Sequence, residues 1–160
     1  MRTVVLMLFA ITIVLALSML YAAAESGQYP DNFRHWVHVH TAVLMPGTNS
    51  QLKSEEGMRH IFANEKAVSG YSSGDFSDGA IIVYELREAT QQKNGVIFEG
   101  DRKRVDVMIK DSSLKNTGGW RFERFWGNDQ TQNALRDSGA MCFQCHSKAN
   151  SHGFVFSQLQ

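Results

Sequence analysis

The sequence predicts an α+β domain, an antiparallel β-sheet packed with a few helices. Three observations carry this. About five stretches have strand character, only two segments are compatible with a helix, and turn-forming clusters rich in Gly, Asn and Ser separate the strand-like stretches. The same count excludes a helical bundle.

In chain order, the first 26 residues read MRTVVLMLFAITIVLALSMLYAAAES. Arg2 precedes an uncharged apolar run from Thr3 to Tyr21, and Ala22, Ala23 and Ala24 precede the first acid, Glu25. That layout is a secretory signal peptide cleaved after Ala24. A permanent anchor is the competing reading, because the run approaches the ~20 residues that span a bilayer. Either way the folded part, residues 25–160, is exported, and it fits a single domain.

After the aromatic lead-in YPDNFRHW, Val37, Val39, Thr41 and Val43 alternate with His38, His40, Ala42 and Leu44, which predicts a strand. In QLKSEEGMRHIFANEKAVSGY, Met58, Ile61, Phe62 and Glu65 fall at helical spacing with Ser54 as N-cap, which predicts a helix. The turn SSGDFSDG launches a β-branched strand over residues 80–86. TQQKNG then reads as a hairpin-like connection to two further strands, at about 96–98 and 105–110, with DRKR at 101–104 as a short solvated turn. Gly118 and Gly119 precede a strand in WRFERFW. The polar segment 128–138 is helix-compatible, with Gly139 as its stop. Phe154, Val155 and Phe156 either add a strand or cap the core.

The chain has 16 Lys+Arg and 16 Asp+Glu. Loss of Arg2 with the signal peptide leaves a net charge of about -1. That balance points away from nucleic acid and anionic surfaces as partners.

Both cysteines lie in CFQCH, residues 142–146, fourteen residues from the end. In this spacing two thiols sit one helical turn apart and can add to the two vinyl groups on one haem edge, while the adjacent imidazole reaches the iron. Zinc would need Cys142, Cys145 and two of His146, His152 or a more distant His. It lacks the second closely spaced pair of a structural site. A redox disulfide would need a βαβ unit, which is missing. Haem is therefore the favoured reading.

No Met follows the motif, and His152 is too close to His146 to reach the opposite haem face. Met45, Met58, Met108 and Met141 are the remaining candidates for a sixth ligand, although buried Met is usually core filler. An open distal site suits ligand binding or catalysis better than simple electron transfer. His38 and His40 share a face of the predicted strand and can chelate a metal, although exposed polar alternation is the commoner reason for that pattern. Phe62 and Phe76 are candidates for lining the distal face.

The sequence resembles the β-sheet cytochromes of the cytochrome P-460 and cytochrome c′-beta family over nearly all of the exported part. YPDNFRHWVHVHT, MRHIFANEKA, SSGDFSDGAIIVYELRE, VDVMIKDSS, GGWRFERF, CFQCHSKAN and FVFSQ carry the resemblance. It implies an antiparallel sheet with helices, one c-type haem ligated by the CxxCH histidine, and a homodimer. P-460 members oxidise hydroxylamine and use a lysine cross-linked to the haem. The c′-beta members have an apolar, often Phe-lined distal face and bind nitric oxide or carbon monoxide.

By this resemblance Tyr84 holds the position of the cross-linking lysine. It reads equally as a distal hydrogen-bond donor or as a core ring. Arg59 matches an arginine near the distal pocket, and Asp106 matches an acidic proton relay, one methylene shorter than Glu.

The resulting expectation is a periplasmic cytochrome with one covalently attached haem c. Cys142 and Cys145 are its anchors, His146 its iron ligand, and Tyr84, Arg59 and Asp106 its polar distal residues. The expected partners are a small gaseous or nitrogen-oxide ligand such as nitric oxide, and a redox partner protein. A hydroxylamine-oxidising enzyme, a Met-ligated electron carrier and a zinc domain are the rivals.

Overall fold

The computed structural model of the chain describes residues 28–48 and 50–159. The signal peptide assigned to residues 1–24 lies outside the described residues. Five strands, β1 (Val37–Leu44), β2 (Gly57–Ala63), β3 (Ile81–Gln91), β4 (Ile97–Lys110) and β5 (Trp120–Trp126), form one antiparallel sheet. Their spatial order is the sequence order, so each strand folds back beside the one before it. Two α-helices, α1 (Glu65–Ser73) and α2 (Ala140–His146), and four short 3-10 turns complete the described fold. The α+β prediction is met, while three of its local assignments are corrected.

The first correction concerns residues 51–71. Met58, Ile61 and Phe62 lie on β2, and only Glu65–Ser73 is helical. Ile61 belongs to an apolar cluster with Ala63, Ile82, Met108 and Phe122 on one face of the sheet. Phe62 packs with Phe33, Val83, Val107 and Phe125 on the other. A strand covered on both faces places adjacent apolar residues on opposite sides. Gly57 at φ 137°, wedged against the Arg87 carbonyl, starts β2 and is incompatible with helix continuation. The N-cap is Asn64, not Ser54: Asn64 Oδ1 accepts from the Ala67 amide at 2.9 Å and from the Ile81 amide at 3.0 Å, tying α1 to β3.

The second is that DRKR is not a turn. It lies within β4, which runs unbroken where two strands are predicted. Arg102 and Arg104 are tolerated there because Arg102 Nε donates to Glu85 at 2.7 Å and Arg104 is bonded to Glu55 and Asp106. The TQQKNG connection does close the β3–β4 hairpin, with the Gln92 amide bonded to the Val96 carbonyl at 2.8 Å.

The third is that residues 128–138 are irregular. Asp129 caps the amides of Thr131 and Gln132, and Asn133 Oδ1 accepts from the Arg124 and Leu135 amides at 3.0 Å each. These local side-chain bonds replace the helical ladder. Gly139 is accordingly the N-cap of α2 rather than the stop of an earlier helix. Phe154–Phe156 forms no strand, and Val155 instead packs into the cluster of Ile61, Ile82 and Phe122, the second of the two outcomes expected.

The N-terminal segment, with Tyr29, Phe33 and Trp36, covers one face of the sheet. Helix α1 and the C-terminal segment cover the other. The cofactor-type cavity opens on this second face.

Candidate cofactor site

Helix α2 presents Cys142, Cys145 and His146 at i, i+3 and i+4, hence on one helix face. Asp137 starts the helix by accepting from the Gly139 amide at 3.1 Å and the Met141 amide at 2.8 Å. Gly139, at φ 83°, lets α2 approach β5: a Cβ there would lie 2.6 Å from Cβ of Phe122. No disulfide joins the two cysteines, and burial pushes the Cys142 thiol up.

His146 Nδ1 donates to the Phe154 carbonyl at 2.8 Å, which leaves Nε2 as the lone-pair nitrogen. Phe154 is at φ 67°, an uncommon conformation for a bulky residue, and this turn presents its carbonyl to the imidazole. The ring packs between Phe122 and Phe156, with centroids 5.2 and 5.0 Å away. Burial lowers the His146 pKa against the opposing pull of the Phe154 carbonyl and Asp106, so the imidazole is neutral and ligand-competent at neutral pH.

These three residues line a cavity of about 590 Å³. Its sheet wall is built from cross-strand rows. Ala63, Ile82, Met108 and Phe122 are register partners and form an apolar row. His40, Ile61, Tyr84, Asp106 and Arg124 form the next row. Arg59, Leu86 and Arg104 form the third. The wall therefore grades from apolar beside His146 to charged at the far end.

At that end the Tyr84 hydroxyl donates to Glu55 Oε2 at 2.7 Å. Arg104 stacks over the Tyr84 ring at 5.4 Å, donates to Glu55 Oε1 at 2.6 Å and pins the Ser54 carbonyl at 2.8 Å. Burial, then the Glu55 carboxylate, pushes the Tyr84 phenol well above the ordinary tyrosine range. Burial alone would raise the Glu55 pKa, but the Tyr84 hydroxyl and the Arg104 guanidinium outweigh it and hold the carboxyl below its usual value. Asp106 accepts from Arg104 at 2.8 Å and from Arg124 at 2.5 and 2.9 Å.

All six site residues predicted from sequence, Tyr84, Arg59, Asp106, Cys142, Cys145 and His146, thus line one cavity. Asp106, expected as a proton relay, lines the cavity and accepts from two guanidinium groups. Of the four methionines only Met108 lines the cavity, beside the Phe122 ring that packs on His146. Phe62 and Phe76 do not line it. Phe62 packs against Phe33 on the opposite face, and Phe76 against Tyr71 and Trp120. The aromatic lining comes from Phe122 and Phe156, which alternation in WRFERF and FVF does signal.

His38 and His40 do not pair either, because a β-bulge between them sends His40 into the cavity wall and His38 to the other face. Burial, then the Arg59 charge, lowers the His40 pKa. Sequence reasoning misses Glu55: it comes from a 3-10 turn, and only its long-range bonds to Tyr84 and Arg104 bring it to the site.

The residues present fit a haem. Two thiols share a helix face with an imidazole whose Nε2 is free, and the cavity volume falls within the ~300–1,000 Å³ usual for cofactor sites. Among the described residues no cluster of three or more His, Cys, Asp or Glu has metal-holding geometry, so the zinc reading lacks its ligands.

A comparison with protein families matches residues 30–157 to the model described as Cytochrome P460. No curated protein matches the chain.

Proposed function

The chain belongs to the cytochrome P460 family and so binds haem, and from that premise we propose that it is an exported, periplasmic monohaem c-type cytochrome that binds small nitrogen-oxide ligands such as nitric oxide. The layout of residues 1–24 supports export. Cys142 and Cys145 would carry the covalent attachment and His146 Nε2 would be the axial nitrogen. When bound, the haem supplies an iron able to take a diatomic ligand. A redox partner protein and a homodimer go with this reading through the family resemblance.

The observation that carries the proposal is the make-up of the cavity wall. No lysine lines it among the described residues, and by the family resemblance Tyr84 takes the position of the cross-linking lysine of the hydroxylamine-oxidising members. A phenol held protonated by burial is a hydrogen-bond donor throughout the neutral range. Its hydroxyl, now on Glu55, can turn to an acceptor atom in the cavity, and Arg104 keeps Glu55 compensated when it does. The apolar row lines the other end.

One observation favours hydroxylamine oxidation: Glu55 is a carboxylate able to accept protons within the cavity. Both its oxygens already accept hydrogen bonds, from Tyr84 and from Arg104, which weakens it as a base. Electron transfer with Met108 as ligand is disfavoured by Met108's place at the His146 end of the wall.

The test is an intact-mass measurement followed by nitric oxide release. The exported chain should carry one haem that Cys142→Ser plus Cys145→Ser abolishes as a covalent adduct. Tyr84→Phe should keep the haem and speed nitric oxide dissociation about tenfold, the effect of losing one hydrogen bond of ~1.4 kcal/mol. Release unchanged by Tyr84→Phe would remove Tyr84 from ligand binding, and a chain without haem would refute the reading.

A further inference from the structure

On the sheet face opposite the cavity, the bulge after His38 leaves that side chain beside β2 instead of beside His40. His38 Nε2 lies 2.8 Å from Thr41 Oγ1, and the same oxygen lies 2.7 Å from His60 Nδ1. Two imidazole nitrogens from neighbouring strands therefore converge on one point. His60 Nε2 lies 2.9 Å from Glu99 Oε2, and a carboxylate only accepts, so Nε2 carries a proton and Nδ1 is the nitrogen that faces Thr41 as the available donor. Glu99 is itself fixed by bonds of 3.1 and 3.2 Å from Arg34. A carboxylate holding the far nitrogen of a histidine is the arrangement that orients metal ligands in proteins.

We infer that His38 and His60, converging on Thr41 Oγ1 with Glu99 orienting His60, form a second metal site, for a late first-row divalent ion such as Zn2+ or Cu2+. Imidazole pairs select these ions over Mg2+ and Ca2+, which prefer oxygen. Metal–nitrogen bonds of ~2.0–2.1 Å are shorter than the present contacts, so each ring moves in by about 0.7 Å as the ion takes the hydroxyl's place. His38 is exposed and exchanges its ring proton with water, which frees Nε2 as the second donor. Two histidines fall short of a closed structural site, and water fills the remaining positions as the Thr41 hydroxyl turns away. The ion would join edge strand β1 to β2 across side chains, in addition to the backbone ladder. The inference is independent of what the haem binds.

The test is calorimetric titration of the haem-loaded protein with Zn2+, paired with electron paramagnetic resonance after one equivalent of Cu2+. One site is expected, with two nitrogen donors in the Cu2+ spectrum. His38→Ala and His60→Ala should each weaken Zn2+ binding at least about tenfold, while His152→Ala leaves it unchanged. His38→Ala changes only an exposed side chain, so it keeps the test valid if His60→Ala folds poorly. Absence of a saturable site, or binding indifferent to both substitutions, would overturn the inference, and the haem mass and spectrum would be unaffected either way.

Discussion

Tyr84, Glu55 and Arg104 form the polar end of the cavity as a unit, and their energetics are testable apart from any ligand. Tyr84→Phe removes a hydrogen bond to a charged partner in a half-buried setting, a loss of about 1.5–3 kcal/mol that urea unfolding should register. Glu55 sets an acid limb. A carboxyl whose pKa is depressed on folding holds fewer protons in the folded chain than in the unfolded one. Its stabilisation is complete above its ordinary value of about 4.5 and is lost as pH falls through the lower folded value. Glu55→Gln should therefore flatten stability against pH below about 4.5 and, because the Glu55 carboxylate helps raise the Tyr84 phenol, also soften the loss of stability at alkaline pH.

Tyr71, pushed up to about 12 by burial, and Tyr84, pushed further, act in the opposite sense. Their contribution is full below pH 10, where unfolded phenols stay protonated, and is lost as pH rises above it. Spectrophotometric titration should find three tyrosines, Tyr29, Tyr71 and Tyr84, resisting ionisation past pH 10. Tyr84 is accessible from sequence because a resemblance marks its position on a strand. Glu55 is not, because its role depends on Arg104, a residue that DRKR disguises as part of a turn.

Strands with a single period are legible in the sequence, and β2 is not. Met58, Ile61 and Phe62 mimic a helical stripe because β2 is covered on both faces, so its apolar residues need not alternate. A bulge that moves His40 and His38 to opposite faces likewise leaves no mark in the sequence. Gly139 illustrates the same limit: as a helix stop or an N-cap it has the same composition signal, and only α2 packed on Phe122 decides. Gly139→Ala combines a left-handed φ with a collision against Phe122. The expected cost is about 1–3 kcal/mol in thermal unfolding, with α2 displaced and the His146–Phe122 packing disturbed in the Soret circular dichroism.

The molecule as a whole is a five-stranded meander whose two faces do different work. One face is sealed by the N-terminal aromatics and carries the Arg34, Glu85, Glu99 and His60 network. The other grades from an apolar row to a charged row and receives α2 with its two thiols and imidazole. CFQCH points to the cofactor through its local spacing together with the export signal and the lack of a second ligand pair, and its late position is the reason to expect an open sixth coordination site. The face opposite His146 depends instead on residues spread from Glu55 to Arg124, which no local pattern groups.

The most direct measurement is the absorption spectrum of the ferrous holoprotein before and after nitric oxide. A high-spin, five-coordinate spectrum that changes fully on nitric oxide addition is expected. A low-spin spectrum with a methionine–iron band that ignores nitric oxide, or a red-shifted Soret band typical of a cross-linked haem, would contradict that expectation.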